Sequence, residues 1–198
     1  MSQTHPTVNF HKPRVILGEG KDEQFFFSGL IKYLQIKDIQ IEVYGGKDNL
    51  KQFLKAAPLI PGFSSVVALG ITGDADASFT SKSQSIQRQI SEFRGYPNVS
   101  SDLRINYFIL PDHQNSGMLE DLVLKTLSDK EMSCIEEFIS CMESSTSRRI
   151  HNFSKAKVNA WLASQDKPDR RLGEAAQAGY IDWEHSACER LIEFVQIF

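Results

Sequence analysis

VILGEGKDEQFFFSGLIKYL, residues 15–34, runs an apolar stretch into a Gly-Glu-Gly turn, and an amphipathic segment follows at once. Residues 14–18 (RVILG) read as a short buried strand. Residues 22–35 read as a helix, with Phe25, Phe26, Leu30 and Leu34 near helical spacing. The turn between them holds a carboxylate, Glu19, where a third small residue would have served the backbone equally well.

The alternation continues outward from that unit. Residues 39–44 (IQIEVY) alternate apolar and polar, a second strand closed by Gly45-Gly46. A helix is expected over 48–57, capped by Asp48 or Asn49 and broken by Pro58, Pro61 and Gly62. A third strand is expected over 65–71, a third helix over 82–94, and a fourth strand over 103–110, stopped by Pro111. Strands alternating with helices of this length imply right-handed crossovers and a mostly parallel four-stranded sheet covered on both faces. The fold class is therefore α/β and Rossmann-like. From 117 onward the pattern is helical, over 118–128, 129–144, 154–164 and 186–197, with a loop at 165–185. The expected organisation is an α/β core over 1–128 with a helical extension over 129–198 packed on it.

The 198 residues, 41% hydrophobic and 24% charged, suit a globular chain that buries a real core. No apolar run approaches the roughly 20 residues of a membrane helix, and the polar start MSQTHPTVNFHKP lacks a secretory layout. Cys134, Cys141 and Cys188 form no CxxC pair, which argues against a disulfide framework and for a reducing, cytoplasmic compartment. Cys134 and Cys141 lie seven apart and are read as small buried residues on one helical face. The net charge of −3 gives no general affinity for polyanions. Its distribution is uneven. Residues 112–143 carry eight acids against two lysines, and 148–171 carry seven bases against two aspartates. Two solvated helical faces that partly pair account for this asymmetry; a phosphate-facing surface beside an acidic one is the functional alternative.

In an open parallel sheet, ligands bind at the carboxyl ends of the strands, where the loops converge. Three of the four expected strands end on acid: the first at Glu19, the third at GDADAS with Asp74 and Asp76, the fourth at Asp112. Asp74 and Asp76 are two apart, so in an extended stretch both project to one side. Carboxylates gathered at one edge repel unless a cation neutralises them, and an all-oxygen donor set suits Mg²⁺ or Mn²⁺. Other readings fit less well. GEGKDE lacks the third glycine of a dinucleotide fingerprint, and no GxxxxGK[ST] loop is present. DADAS lacks the glycine and closing glutamate of a calcium loop. It also resembles the aspartate-nucleophile motif of haloacid-dehalogenase-type phosphatases, which follows the first strand, not the third. Turn and cap roles for both aspartates stay open.

Glutamate after the first strand, then DxD after the third, resembles the signature of the Toprim domain of topoisomerases, bacterial primases and overcoming-lysogenisation-defect nucleases. The resemblance spans roughly residues 12–125 and rests on GEGKDE and GDADAS. Glu19 and Glu23 match the EGxxE pattern of the nuclease branch, and GMLED (117–121) matches a further acidic motif, making Glu120 and Asp121 candidate additional ligands. VILGEGKDE, YGGKDNL, PDHQNSGMLED and RRLGEAAQAGYIDW together resemble a group of small stand-alone bacterial Toprim-like proteins. The tyrosine-bearing domain of topoisomerases, the zinc region of primases and the ATPase of the lysogenisation nucleases are not matched.

The resemblance implies metal-dependent phosphodiester hydrolysis, or phosphoryl or nucleotidyl transfer, on DNA or RNA. Asp74 and Asp76 would hold Mg²⁺ or Mn²⁺. Glu19 would complete the shell or act as general base, and one of Glu120 and Asp121 would reach a second ion. Glu23, Asp112, Lys21, Lys47 and His113 are possible accessory residues. The lysines sit in glycine-bounded loops within reach of phosphate, though plain surface lysines explain them too. His113 could move a proton or bond its own loop. A non-catalytic module that binds metal or nucleotide, such as a defence-system or partner-dependent subunit, is the alternative function.

Overall fold

A computed structural model describes residues 8–146 and 149–198. Four strands, β1 (Arg14–Gly18), β2 (Ile39–Val43), β3 (Ala68–Asp74) and β4 (Arg104–Leu110), lie in the order β2-β1-β3-β4, every neighbour parallel. The α-helices are α1 (Lys21–Tyr33), α2 (Leu50–Ala56), α3 (Phe79–Arg94), α4 (Leu119–Lys125), α5 (Asp129–Ser145), α6 (Phe153–Ala163), α7 (Leu172–Gln177) and α8 (Glu189–Ile197). The expected α/β class and parallel sheet are what the chain adopts.

Side-chain alternation along the strands divides the interior in two. Val15, Leu17, Leu69 and Ile71 pack with Leu54 of α2 and Ile86 and Phe93 of α3 on one face. Ile16, Ala68 and Phe108 pack with α1 and with residues of α4 through α8 on the other. The second cluster is continuous from Phe26 to Trp161, Leu191 and Phe194, so the helices after residue 129 help to form the core. Arg14, at the start of β1, binds them directly. Its Nη2 donates to the Val195 carbonyl (2.6 Å) and its Nε to that of Phe198 (3.0 Å), with the guanidinium over the Phe198 ring.

Three expectations need correction. β3 spans 68–74 rather than 65–71, because pairing with β4 continues through Gly73↔Ile109 and Asp74↔Leu110 despite the polar composition there. The loop expected at 165–185 contains α7, which packs against α1 through glycines on both helices. A Cβ on Gly29 would lie 2.7 Å from the backbone of Ala176, and one on Gly173 would lie 2.5 Å from the Asp22 carbonyl. Cys134 and Cys141 are exposed, and Cys188 alone of the three is buried. No helix among the described residues is long and apolar enough to cross a membrane.

Candidate functional site

The strand order makes β1 the pivot of the sheet: the chain leaves it for β2 on one side and later enters β3 on the other. The crevice at the carboxyl ends of β1 and β3 is the switch point at which such sheets bind ligands. Glu19 follows β1 immediately, and Asp74 is the last residue of β3. The loop after β2 closes one wall, since the amides of Gly45 and Gly46 donate to the Glu19 carbonyl at 3.1 and 2.9 Å. Both glycines have φ in the left-handed region, which lets two successive amides converge on one oxygen.

Glu23, in the first turn of α1, points back into this crevice and is 5% exposed. Its Oε2 accepts from the Glu19 amide (3.1 Å) and the Thr72 hydroxyl (2.7 Å). Burial pushes its pKa up to about 7 against the pull of those two hydrogen bonds. Asp74 Oδ1 accepts from the Leu119 amide at the start of α4 (2.9 Å). Burial, then the charge of Glu23, raise Asp74 to about 8, and Glu120 and Glu19 add to the repulsion. Asp74 of β3 thus feels three other carboxyls, from the residue after β1, from α1 and from α4. Tyr44 donates its hydroxyl to the Thr72 carbonyl (2.8 Å); burial, then Glu23, Glu19 and Asp74, raise its pKa.

Glu19 itself is paired. Lys82 Nζ of α3 lies 3.2 Å from Glu19 Oε2. The ammonium sits against the end of β3, where a Cβ on Gly73 would come 3.0 Å from Nζ and 2.8 Å from the Tyr44 hydroxyl. A side chain at 73 would crowd both the Tyr44 hydroxyl and the lysine end. The sequence reading passed over Lys82, Thr72 and Tyr44. The available signal for Lys82 was a cation in the opening turns of a helix whose first turn has no acid, where the helix dipole disfavours it.

The other candidates are placed as follows. Asp76 is exposed with φ 50°, and it exchanges two backbone hydrogen bonds of 2.9 Å with Gly117. The stretch is not extended there, so Asp76 and Asp74 do not project together. Of the adjacent pair on α4, Glu120 faces Asp74 and is raised by burial, with Lys155 Nζ 3.8 Å away. Asp121 turns back to its own helix start. Its Oδ2 accepts from the Met118 amide (2.8 Å) and its Oδ1 from the Ser154 hydroxyl (2.5 Å). Asp112 staples its loop through the amides of Gln114 and Asn115 and through Lys125 (2.8 Å). Burial works against ionisation there, but Lys125 and Asn115 outweigh it and hold the pKa near about 2. His113 Nδ1 accepts from the Ile109 amide (3.1 Å), and its ring stacks on Phe108. Burial, then Arg190, lower its pKa, and its hydrogen bond and ring stacking tie it to its own loop. Lys21 and Lys47 are exposed and make no ion pair among the described residues. Among those residues no three His, Cys, Asp or Glu side chains stand close enough to hold a metal ion.

Residues 13–198 match the family described as "Protein of unknown function (DUF3226)". The chain belongs to that family. No curated protein matches it. A solved structure, the C-terminal region of the OLD protein of Xanthomonas campestris pv. campestris, is similar over 94% of this chain and 96% of that one. Its identity is 16% and its TM-score 0.47, and nothing below rests on it.

Proposed function

We propose that this DUF3226 chain is a Toprim-like, Mg²⁺- or Mn²⁺-dependent phosphodiesterase acting on DNA or RNA. One observation carries the reading: Glu23 and Asp74 are buried carboxyls at the switch-point edge, with Glu19 and Glu120 beside them, and burial, with added repulsion from neighbouring carboxylates, raises the pKa of both. An all-oxygen, partly desolvated donor set of this kind fits a hard divalent ion. Asp74, Glu120 and Glu19 are its candidate ligands, and Glu23 stays behind them, fixing the Glu19 backbone. When bound, the ion supplies charge neutralisation at phosphate and a water of lowered pKa. Glu19, 23% exposed in its side chain, is the carboxylate placed to receive a proton from an attacking water. Lys155, joined to Glu120 at the margin of the site, connects the basic 148–171 segment to the acidic edge, where it can guide a polyanion.

The non-catalytic module is the second reading. It draws on the closed Lys82–Glu19 pair and on the lack of a three-ligand cluster among the described residues. Incubation of labelled DNA and RNA with the purified chain in Mg²⁺ or Mn²⁺ tests the two. The expected result is cleavage that falls about 100-fold or more in Asp74→Ala and Glu19→Gln. Cleavage unchanged in both variants is contamination and overturns the enzyme; metal binding with no cleavage leaves the module.

A further inference from the structure

Asp74 and Glu19 belong to opposite sides of the sheet edge. Along β3, Ala68 packs with α1, and Asp74 shares its parity and bonds the amide of Leu119, a member of the same cluster. Gly73 has the other parity and faces Tyr44 and Lys82. Lys82 therefore draws the Glu19 carboxylate towards the α2/α3 side, away from Asp74 and Glu120. The pair is sheltered, with side chains 17% and 23% exposed, so water screens it little. It also stands where the helix dipole of α3 opposes a cation, so Lys82 depends on Glu19 for its stability there.

We infer that Lys82 is an internal counter-ion that parks Glu19, and that a divalent cation recruits Glu19 only by displacing this ammonium. The inference rests on the metal-binding reading above and specifies how the site is kept closed. It accounts for an Asp74 that feels three other carboxyls although no three-ligand cluster forms among the described residues. Gly73 suits this arrangement, because a Cβ there would lie only 3.0 Å from the ammonium and 2.8 Å from the Tyr44 hydroxyl.

Mn²⁺ titration of the full chain, following free Mn²⁺ by electron paramagnetic resonance at fixed pH and salt, tests the inference without reference to activity. Lys82→Met is expected to bind Mn²⁺ about three- to tenfold more tightly than the parent. Lys82→Gln, which keeps a polar end group in that space, should shift the same way and replaces the methionine variant if that one does not fold. A crystal structure of the parent with Mn²⁺ should show Lys82 Nζ beyond hydrogen-bond distance of Glu19. Equal or weaker affinity in the variants, or a closed pair beside bound Mn²⁺, overturns the inference and leaves the metal site standing. Failure of parent and variants alike to bind Mn²⁺ overturns the metal site as well.

Discussion

Glu23 is a carboxyl with almost no solvent, and its folded state prefers the proton. A group whose pKa rises on folding, here from 4.5 to about 7, stabilises the fold below the lower value. That contribution is lost as pH climbs through the higher one. Asp74, raised from 3.8 to about 8, has the same sign. Asp112 has the opposite sign, but its pKa near about 2 keeps it ionised throughout this window. Glu23→Gln retains an acceptor for the Glu19 amide and Thr72 hydroxyl without the charge. It should be more stable than the parent at pH 8 by on the order of 2–3 kcal/mol, seen as a higher melting temperature, and nearly match it at pH 5. Thermal melts at the two pH values measure this, and an equal effect at both would refute it. At this scale Glu19 and Asp74 were legible as acids at strand ends, and Glu23 only through the resemblance to an EGxxE pattern. The common projection of Asp74 and Asp76 required an extended stretch, and Asp76, two residues beyond the end of β3, has φ 50° instead. The sequence reading passed over Lys82, Thr72 and Tyr44, whose partners lie 28 to 63 residues away.

At the scale of elements, the pairing of α1 with α7 fixes where Glu23 points. α7 is only six residues long, and its glycine and two alanines resemble loop composition when read alone. Those small residues are what let it approach α1, and α1 carries a matching glycine at position 29. Periodicity reports a helix through its own apolar stripe, so a helix defined by smallness rather than by a stripe escapes it. The longer strands and helices were legible because both periods, two and 3.6, are sustained over several residues. Gly173→Val places side-chain atoms against the Asp22 carbonyl and Phe25, and should destabilise the chain by about 1–3 kcal/mol. Urea denaturation measures the loss. Mn²⁺ affinity should fall with it as α1 shifts, whereas a stability loss with unchanged affinity would separate α7 from the site.

For the whole molecule, charge asymmetry and core continuity bear on how the two ends of the chain depend on each other. Among the described residues, Lys155 and Lys157 of the basic segment pair with acids of the 112–143 segment, Glu120 and Glu136 respectively. The asymmetry is thus partly internal, as one of the two readings of the sequence expected, and Lys155 brings it to the candidate site. What composition could not reveal is that the last helix covers the sheet: Phe194 packs on Phe108 (5.5 Å) and stacks on Phe198 (5.3 Å). Deleting residues 189–198 should abolish the cooperative thermal transition seen by circular dichroism, and a truncated chain that still melts sharply would show the core to be separable. The Arg14 contacts across 181 and 184 residues carry a further consequence for biosynthesis. While the chain is still emerging from the ribosome, the Arg14 guanidinium has Asp38 (3.5 Å) but not the carbonyls of Val195 and Phe198, and the side of the sheet that α8 covers lies bare. The first strand therefore gains its full set of native contacts only once residues 189–198 have left the ribosome, however early the rest of the sheet pairs.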